Sequence, residues 1–194
     1  YMEKKTLLGL TLDELKDVAR QLGMPAFTGS QIAKWIYERR VKSIDEMTDL
    51  SIAGRQRLAQ QYCVGRQEPD VVTESIDGTR KYLFYASSGN AIESVYIPED
   101  DRATLCISSQ KGCKMNCSFC MTGRQGFHGN LTAAEIINQI LSIPESESLT
   151  NVVFMGMGEP MDNYDAVVKV IEVLTAKWGF AWSPKRITVS SIGK

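Results

Sequence analysis

Cys113, Cys117 and Cys120 stand in the run Cys113-Lys114-Met115-Asn116-Cys117-Ser118-Phe119-Cys120. Three thiols at this spacing are ready donors for a metal centre. A structural zinc site normally closes with four ligands. Three soft thiolates without a matching fourth suit an iron–sulfur cluster that leaves one iron open. An open iron can hold a substrate or cofactor, so the spacing points to chemistry rather than scaffolding. Four of the five cysteines lie between Cys106 and Cys120, which is too crowded for a disulfide framework. They fit a reducing, cytosolic compartment where thiols bind metal or react.

The charge around these cysteines is uneven. The whole chain of 194 residues carries a net charge of −1, which argues against a globally basic nucleic-acid binder. Residues 105–130, however, carry Lys111, Lys114 and Arg124 and no acid. This stretch attracts an anionic partner, or its cations balance thiolate charge on a cluster. No apolar run reaches the length of a membrane span, and nothing at the start resembles a secretory signal.

Elements on either side must position the cysteines. Thr104–Ser108 reads as a strand leading into them. Thr132-Ala133-Ala134-Glu135 is a capping box that opens a helix to about Ile143, where Pro144 ends it. Asn151–Met155 reads as a buried strand and Gly156-Met157-Gly158-Glu159-Pro160 as the loop after it. Tyr164 to Trp178 reads as a helix with a wide apolar face, and Arg186–Ser190 as a third strand. Strands alternating with helices imply a parallel sheet whose function lies in the loops at the strand carboxyl ends. At roughly 30 residues per unit, residues 104–194 hold about three such units. A closed barrel needs more, and the chain stops just after a strand, so it reads as a piece of a longer protein.

Upstream, residues 67–98 change to a period of two. Val71–Ile76, Thr79–Tyr85 and Ala91–Ile97 read as three strands joined by tight turns. Glu93 shares a face with Val95 and Ile97 by alternation. Periodicity alone favours a place at the rim of that face over a carboxylate held for use. Residues 1–66 read as four short helices, opened by Thr11-Leu12-Asp13-Glu14, by Thr28 (ending near Arg39-Arg40) and by Ser43, with the fourth over Ile52–Tyr62. Lys34, Arg39, Arg40, Lys42, Arg55 and Arg57 could contact phosphates there, or could form a solvated charged face.

The three-cysteine loop after one strand and a Gly-Glu-Pro turn after the next resemble the radical S-adenosylmethionine (SAM) superfamily, with Phe119 as the aromatic before the last cysteine. Cys106-Ile107-Ser108-Ser109-Gln110-Lys111-Gly112-Cys113, Cys120-Met121-Thr122-Gly123-Arg124-Gln125-Gly126-Phe127, Gly129-Asn130-Leu131-Thr132 and Gly156–Pro160 narrow the likeness. They resemble the RlmN-type adenine C2-methyltransferases, over essentially the whole chain.

The resemblance implies an α/β fold: a partial radical SAM (β/α) barrel over 99–194. An antiparallel β-segment over 67–98 and a small helical RNA-binding domain over 1–66 precede it. It implies a [4Fe–4S] cluster on Cys113, Cys117 and Cys120, with SAM on the open iron. Gly158 and Glu159 would receive SAM's amino end, and Ser190 another polar part of SAM.

The implied reaction places a methyl group on adenine C2 of 23S rRNA and tRNA. It runs through a methyl-carrying cysteine and a protein–RNA crosslink. Glu93, thirteen residues before Cys106, matches the base that removes the C2 proton, which reverses the rim reading. Cys106, seven residues before Cys113, matches the cysteine that resolves the crosslink by forming a disulfide; otherwise it would be a small hydrophobe in a strand. An external electron donor and a thiol reductant are implied as partners, and the protein is expected to be monomeric and cytoplasmic. The methyl-carrying cysteine has no counterpart, because no Cys follows Cys120, so the chain alone is expected to be inactive.

Three rival readings remain at this level: a Cfr-type C8-methylating enzyme, a radical SAM activase, and a zinc-stabilised RNA-binding module that would also use Cys106 or His128. The segment Thr122–Phe127 favours the C2 type. The zinc reading leaves the Gly-Glu-Pro turn without a purpose. His128 otherwise reads as a loop or RNA-facing residue, Cys63 as packing, Met121 as lining a cluster pocket, and Trp35, Trp178 and Trp182 as core or domain-contact residues.

Overall fold

A computed structural model describes residues 3–86, 90–112 and 127–193. Cys113, Cys117, Cys120, Phe119 and Met121 lie outside the described residues. In chain order the main elements are β1 (Lys5–Thr6), α1 (Leu12–Gln21), α2 (Phe27–Ala33), α3 (Ile52–Gln61), β2 (Tyr62–Cys63), β3 (Val71–Glu74) and β4 (Arg80–Tyr85). They continue with β5 (Ala91–Pro98), β6 (Ala103–Cys106), β7 (Gln110–Gly112), β8 (Phe127–Asn130), α4 (Ala133–Leu141), β9 (Asn151–Phe154), α5 (Tyr164–Thr175) and β10 (Ile187–Val189). The chain forms two compact units, Tyr1–Arg66 with Lys169–Trp182, and Gln67–Val168 with Ser183–Lys194.

The first unit is helical. The Thr11 hydroxyl accepts the Glu14 N–H at 3.3 Å and the Glu14 carboxylate accepts the Thr11 N–H at 3.1 Å, the capping box that starts α1. Leu15, Val18 and Ala19 then repeat at helical spacing and are buried. Gly29 lets α2 lie close on α1, because a Cβ there would stand 2.5 Å from the Lys16 nitrogen.

The predicted helix from Thr28 to Arg40 is not uniformly α-helical: Lys34–Glu38 forms a π turn, closed by Arg39 N–H donating to Lys34 O at 2.9 Å. Trp35, Ile36 and Tyr37 are buried in succession. A regular α-helix turns three consecutive residues across more than half its circumference, and the wider turn keeps all three inward. The Tyr37 ring meets Trp178 and Phe180 at 5.9 and 6.0 Å between centroids. The Tyr37 hydroxyl donates to Leu10 O and accepts from Gly9 N–H, and burial pushes its pKa up. The last residue of the predicted fourth helix, Tyr62, instead begins β2, which pairs with β1 in parallel.

The second unit is built on a six-stranded sheet in the order β10-β9-β6-β5-β4-β3. β3, β4, β5 and β6 pair antiparallel, while β6, β9 and β10 pair in parallel. The three parallel strands come in sequence order with helices between them, as the alternating pattern requires. One sheet face is closed by α4: Ser94, Leu105, Val152 and Phe154 point to it and are buried. Gln139 of α4 accepts from Ser94 Oγ and Ser108 N–H, both at 2.8 Å, and donates to Ser108 O at 2.9 Å. Its amide thus completes the ladder where β6 ends.

Between β6 and α4 the sequence reading gives only a loop. The structure adds a short antiparallel ladder, β7 with β8. Among the described residues no helix is long and apolar enough to cross a membrane.

Candidate functional site

The face of the sheet opposite α4 carries the two residues expected to react. Cys106 pairs with Val95 across the β5–β6 ladder, and Glu93 lies two residues before Val95 on the same face. Diagonal neighbours of this kind stand about 7–8 Å apart. Cys106, Glu93 and Val95 are half-buried, as is Val153, the partner of Cys106 on β9. Burial pushes the Cys106 thiol pKa up. Among the described residues Cys106 and Cys63 are free thiols. Lys81 of β4 shares the face and places its ammonium 3.7 Å from the Glu93 carboxylate.

At the carboxyl ends of β6 and β9 two loops are tied together. Gly156 N–H donates to Ile107 O at 3.0 Å, and Met157 N–H to Ser108 Oγ at 2.8 Å. Ser109 and Gln110 both donate their N–H to Met157 O. Ser108 Oγ also donates to Glu93 O at 2.5 Å. The strand of the expected base and the Gly-Glu turn therefore share one hydroxyl.

Gly158 has φ +102°, a conformation that favours glycine. A Cβ there would also stand 2.4 Å from Gln110 Cβ. Glu159 is only 4% exposed. Its carboxylate accepts from Ser191 Oγ and from Ile192 N–H at 3.4 Å.

The same corner anchors both ends of the cysteine segment. Asn163 Nδ2 donates to Ser109 O at 2.7 Å, before the segment, and to Leu131 O at 2.8 Å, after it. Leu131 N–H donates to Ser109 O at 3.1 Å. Lys111 of β7 lies 3.6 Å from Glu135, so one of the three cations of the acid-free stretch has an acidic partner from α4.

Two observations test whether the residues present fit a cluster with SAM. The Gly156–Glu159 turn is bare of side chains where a Cβ would strike Ser108 or Gln110, and it presents a buried carboxylate suited to an ammonium. Among the described residues Ser109 Oγ is buried with no hydrogen-bond partner, an orphan polar atom at the foot of the cysteine segment. Together with the three-thiolate donor set, the residues fit the group. Cys113, Cys117 and Cys120 would hold iron, and Gly158 with Glu159 would receive SAM.

The expected residues Glu93 and Cys106 share one sheet face, and Ser108 joins their strands to the loop that carries Glu159, through Met157 N–H. Ser190 is exposed at the end of β10, and it is its neighbour Ser191 that reaches Glu159. Sequence reasoning missed Ser191, Lys81 and the buried amides Gln110, Gln139 and Asn163. Only the motif Ser108-Ser109-Gln110 offered a local signal for any of them.

In the helical unit, the candidate phosphate contacts divide. Arg39 stacks over Trp35 at 4.2 Å and Arg40 lies over Phe180 at 5.4 Å. Arg55 donates to Asp45 O and Arg57 to Leu22 O. These four hold the unit's own surface together. Lys34 is exposed.

Comparison with known proteins shows what the chain is similar to. Residues 5–64 match the ribosomal RNA large subunit methyltransferase N-terminal domain, and residues 107–193 match the radical SAM superfamily. A probable dual-specificity RNA methyltransferase RlmN of Phocaeicola vulgatus is 60% identical over 98% of this chain and 54% of the relative. The dual-specificity RNA methyltransferase RlmN of Geotalea uraniireducens is 44% identical over 99% of this chain and 56% of the relative. The crystal structure of a radical SAM methyltransferase from Sphaerobacter thermophilus superposes with a TM-score of 0.89 at 37% identity, covering 98% of this chain and 57% of that one. The chain thus spans little more than half the length of the relatives it matches. On these matches, the chain is similar to RlmN-type methyltransferases along nearly its whole length and to the radical SAM superfamily over residues 107–193.

Proposed function

We propose that this chain carries the cluster site, the SAM turn and the proton-accepting face of an RNA methyltransferase acting on C2 of adenine in 23S rRNA and tRNA. One observation carries the reading: Glu93 and Cys106 share a face, and Ser108 links their strands to the Gly158-Glu159 turn. A [4Fe–4S] cluster with SAM, when bound, supplies the reductive carbon–sulfur cleavage that starts radical chemistry. Adenine C2 needs such chemistry, because it is an electron-poor aromatic carbon with no acidic proton.

The chain's own residues supply three further roles. The Glu159 carboxylate takes the amino end of SAM. Glu93 accepts the C2 proton at a carboxylate oxygen, and the Lys81 ammonium stands 3.7 Å from that carboxylate. Cys106 resolves the protein–RNA link through its sulfur. Its thiolate attacks the sulfur of the methyl-carrying cysteine, which has no counterpart in this chain; that sulfur–carbon bond breaks, the carbon leaves with the electron pair and is protonated, and a thiol reductant reduces the resulting disulfide. A one-electron donor serves the cluster. The target adenine must leave its stack to reach a face at the strand ends.

Two measurements test the reading. Anaerobic purification should yield about four irons with labile sulfide per chain, lost in Cys117→Ala; stoichiometric zinc without sulfide would overturn it. A chimera joining this chain to the rest of the Phocaeicola vulgatus relative should then give 2-methyladenosine in 23S rRNA by nucleoside mass spectrometry. Methylation at C8 instead would show the other regiochemistry.

A further inference from the structure

We propose that Gln110 is a positioning residue for SAM: its side-chain amide locks the Gly158-Glu159 turn against the foot of the cysteine segment. The inference rests on the reading that this turn receives SAM. Gln110 is fully buried. Its Oε1 accepts the Glu159 N–H at 2.9 Å, and its Nε2 donates to Asn130 Oδ1 at 2.6 Å. Its own backbone N–H donates to Met157 O at 3.1 Å.

One side chain therefore joins three segments. They are the strand that enters the cysteine segment, the strand that leaves it, and the turn expected to hold SAM. Gly158 lies flat on the aliphatic part of Gln110, which brings the next peptide N–H onto Oε1. A buried amide that satisfies both its acceptor and a donor in this way fixes geometry more than it adds stability. Cluster and SAM must meet at one iron, so the two loops holding them need a fixed spacing. Gln110 supplies it by holding β7, β8 and the turn together.

The test uses the anaerobically reconstituted chain. Gln110→Met keeps the length and removes both bonds; Gln110→Glu keeps the acceptor for Glu159 N–H. In Gln110→Met, amide hydrogen exchange in the peptide covering 156–161 should speed up roughly fivefold to tenfold. SAM should bind about tenfold more weakly, while iron content and the spectrum of the reduced cluster without SAM stay at wild-type levels. Gln110→Glu should hold both effects within about threefold.

Wild-type SAM affinity in Gln110→Met would overturn the proposal. So would equal loss of iron in both variants, which marks a purely structural residue. Should Gln110→Met not fold, Asn130→Ala, at an exposed position, frees the amide to rotate and should weaken SAM binding roughly threefold; wild-type affinity there overturns the proposal equally. A wild-type chain that holds no sulfide, or whose cluster spectrum ignores SAM, would instead sink the functional reading. The exchange rates still decide whether Gln110 grips the turn.

Discussion

Cys106 stands across the β5–β6 ladder from Val95, one diagonal step from Glu93, so a thiol and a carboxylate share one half-buried sheet face on adjacent strands. The pairing is antiparallel, whereas the strands on the other side of Cys106 run parallel. The face therefore bridges the antiparallel segment and the first parallel strands. This places the expected base and the resolving cysteine on rigid backbone rather than on loops.

The raised thiol pKa makes Cys106 slow to react as the protein stands. At pH 7–8 its alkylation by iodoacetamide should be at least about tenfold slower in the folded chain than in urea, and should climb steeply at higher pH. Peptide mapping separates it from the other cysteines. Because the folded value is raised, the contribution to stability is fully present below the ordinary thiol value. It is lost as pH rises through the raised one. Equal rates in the folded and unfolded chains would refute the burial.

Gly158→Ala should be damaging out of proportion to one methyl group. The positive φ costs a non-glycine residue about 1–3 kcal/mol. The new Cβ would also overlap the buried stem of Gln110. Urea denaturation should show a loss of at least about 1 kcal/mol at unchanged m value, and SAM binding should fall with it.

Much of this architecture was legible in the sequence because it is local. The capping boxes at Thr11–Glu14 and Thr132–Glu135 form as their spacing requires, and the alternation around Glu93 assigned its face correctly. Paired strands of two residues, such as Lys5–Thr6 with Tyr62–Cys63, carry no periodicity to read. The π turn at Lys34–Glu38 answers to what Trp35 and Tyr37 pack against, not to helix propensity. The site's buried amides were illegible for a similar reason. Gln110, Gln139 and Asn163 find partners 20 to 54 residues away, and in sequence each is an ordinary polar residue. Ser190 and Ser191 are also indistinguishable until the backbone shows which hydroxyl turns toward Glu159.

A half-buried carboxylate offers a test of the antiparallel segment. Glu145 accepts from the Tyr82 hydroxyl at 2.6 Å and from Arg80. Burial first, and then Glu145, push the Tyr82 pKa up to about 12. Glu145→Ala should cost about 1–3 kcal/mol, since the buried hydroxyl loses a charged acceptor; Glu145→Gln should cost roughly half as much. Tyr82→Phe in the Glu145→Ala background should then be nearly neutral by equilibrium denaturation. An additive double mutant would deny the coupling.

Gly29→Ala asks whether α1 and α2 need their close approach. Alanine is normally the better helix former by about 1 kcal/mol. Here its Cβ would meet the α1 backbone at Lys16 and Leu15, at 2.5 to 2.8 Å, with no flexible side-chain end to give way. Overpacking of this kind costs about 1–3 kcal/mol and should outweigh the propensity gain. A lowered melting temperature is expected; a raised one would show that the helices separate freely.

The capping box of α1 links stability to acid. Burial raises the Glu14 pKa. The Lys169 ammonium at 2.9 Å and the bonds from Thr11 outweigh burial and leave it lowered. Glu14 therefore contributes stability that is present above the ordinary carboxylate value and lost as pH falls through the lowered folded one. Lys169→Met removes the cation and leaves the burial, so the acid unfolding transition should move to higher pH, with little change near neutrality for a half-exposed pair. Thr11→Ala should instead cost about 1 kcal/mol at neutral pH by removing the cap. Circular dichroism followed against pH separates the two, because Lys169→Met should mainly shift the acid limb while Thr11→Ala should lower stability at neutral pH as well.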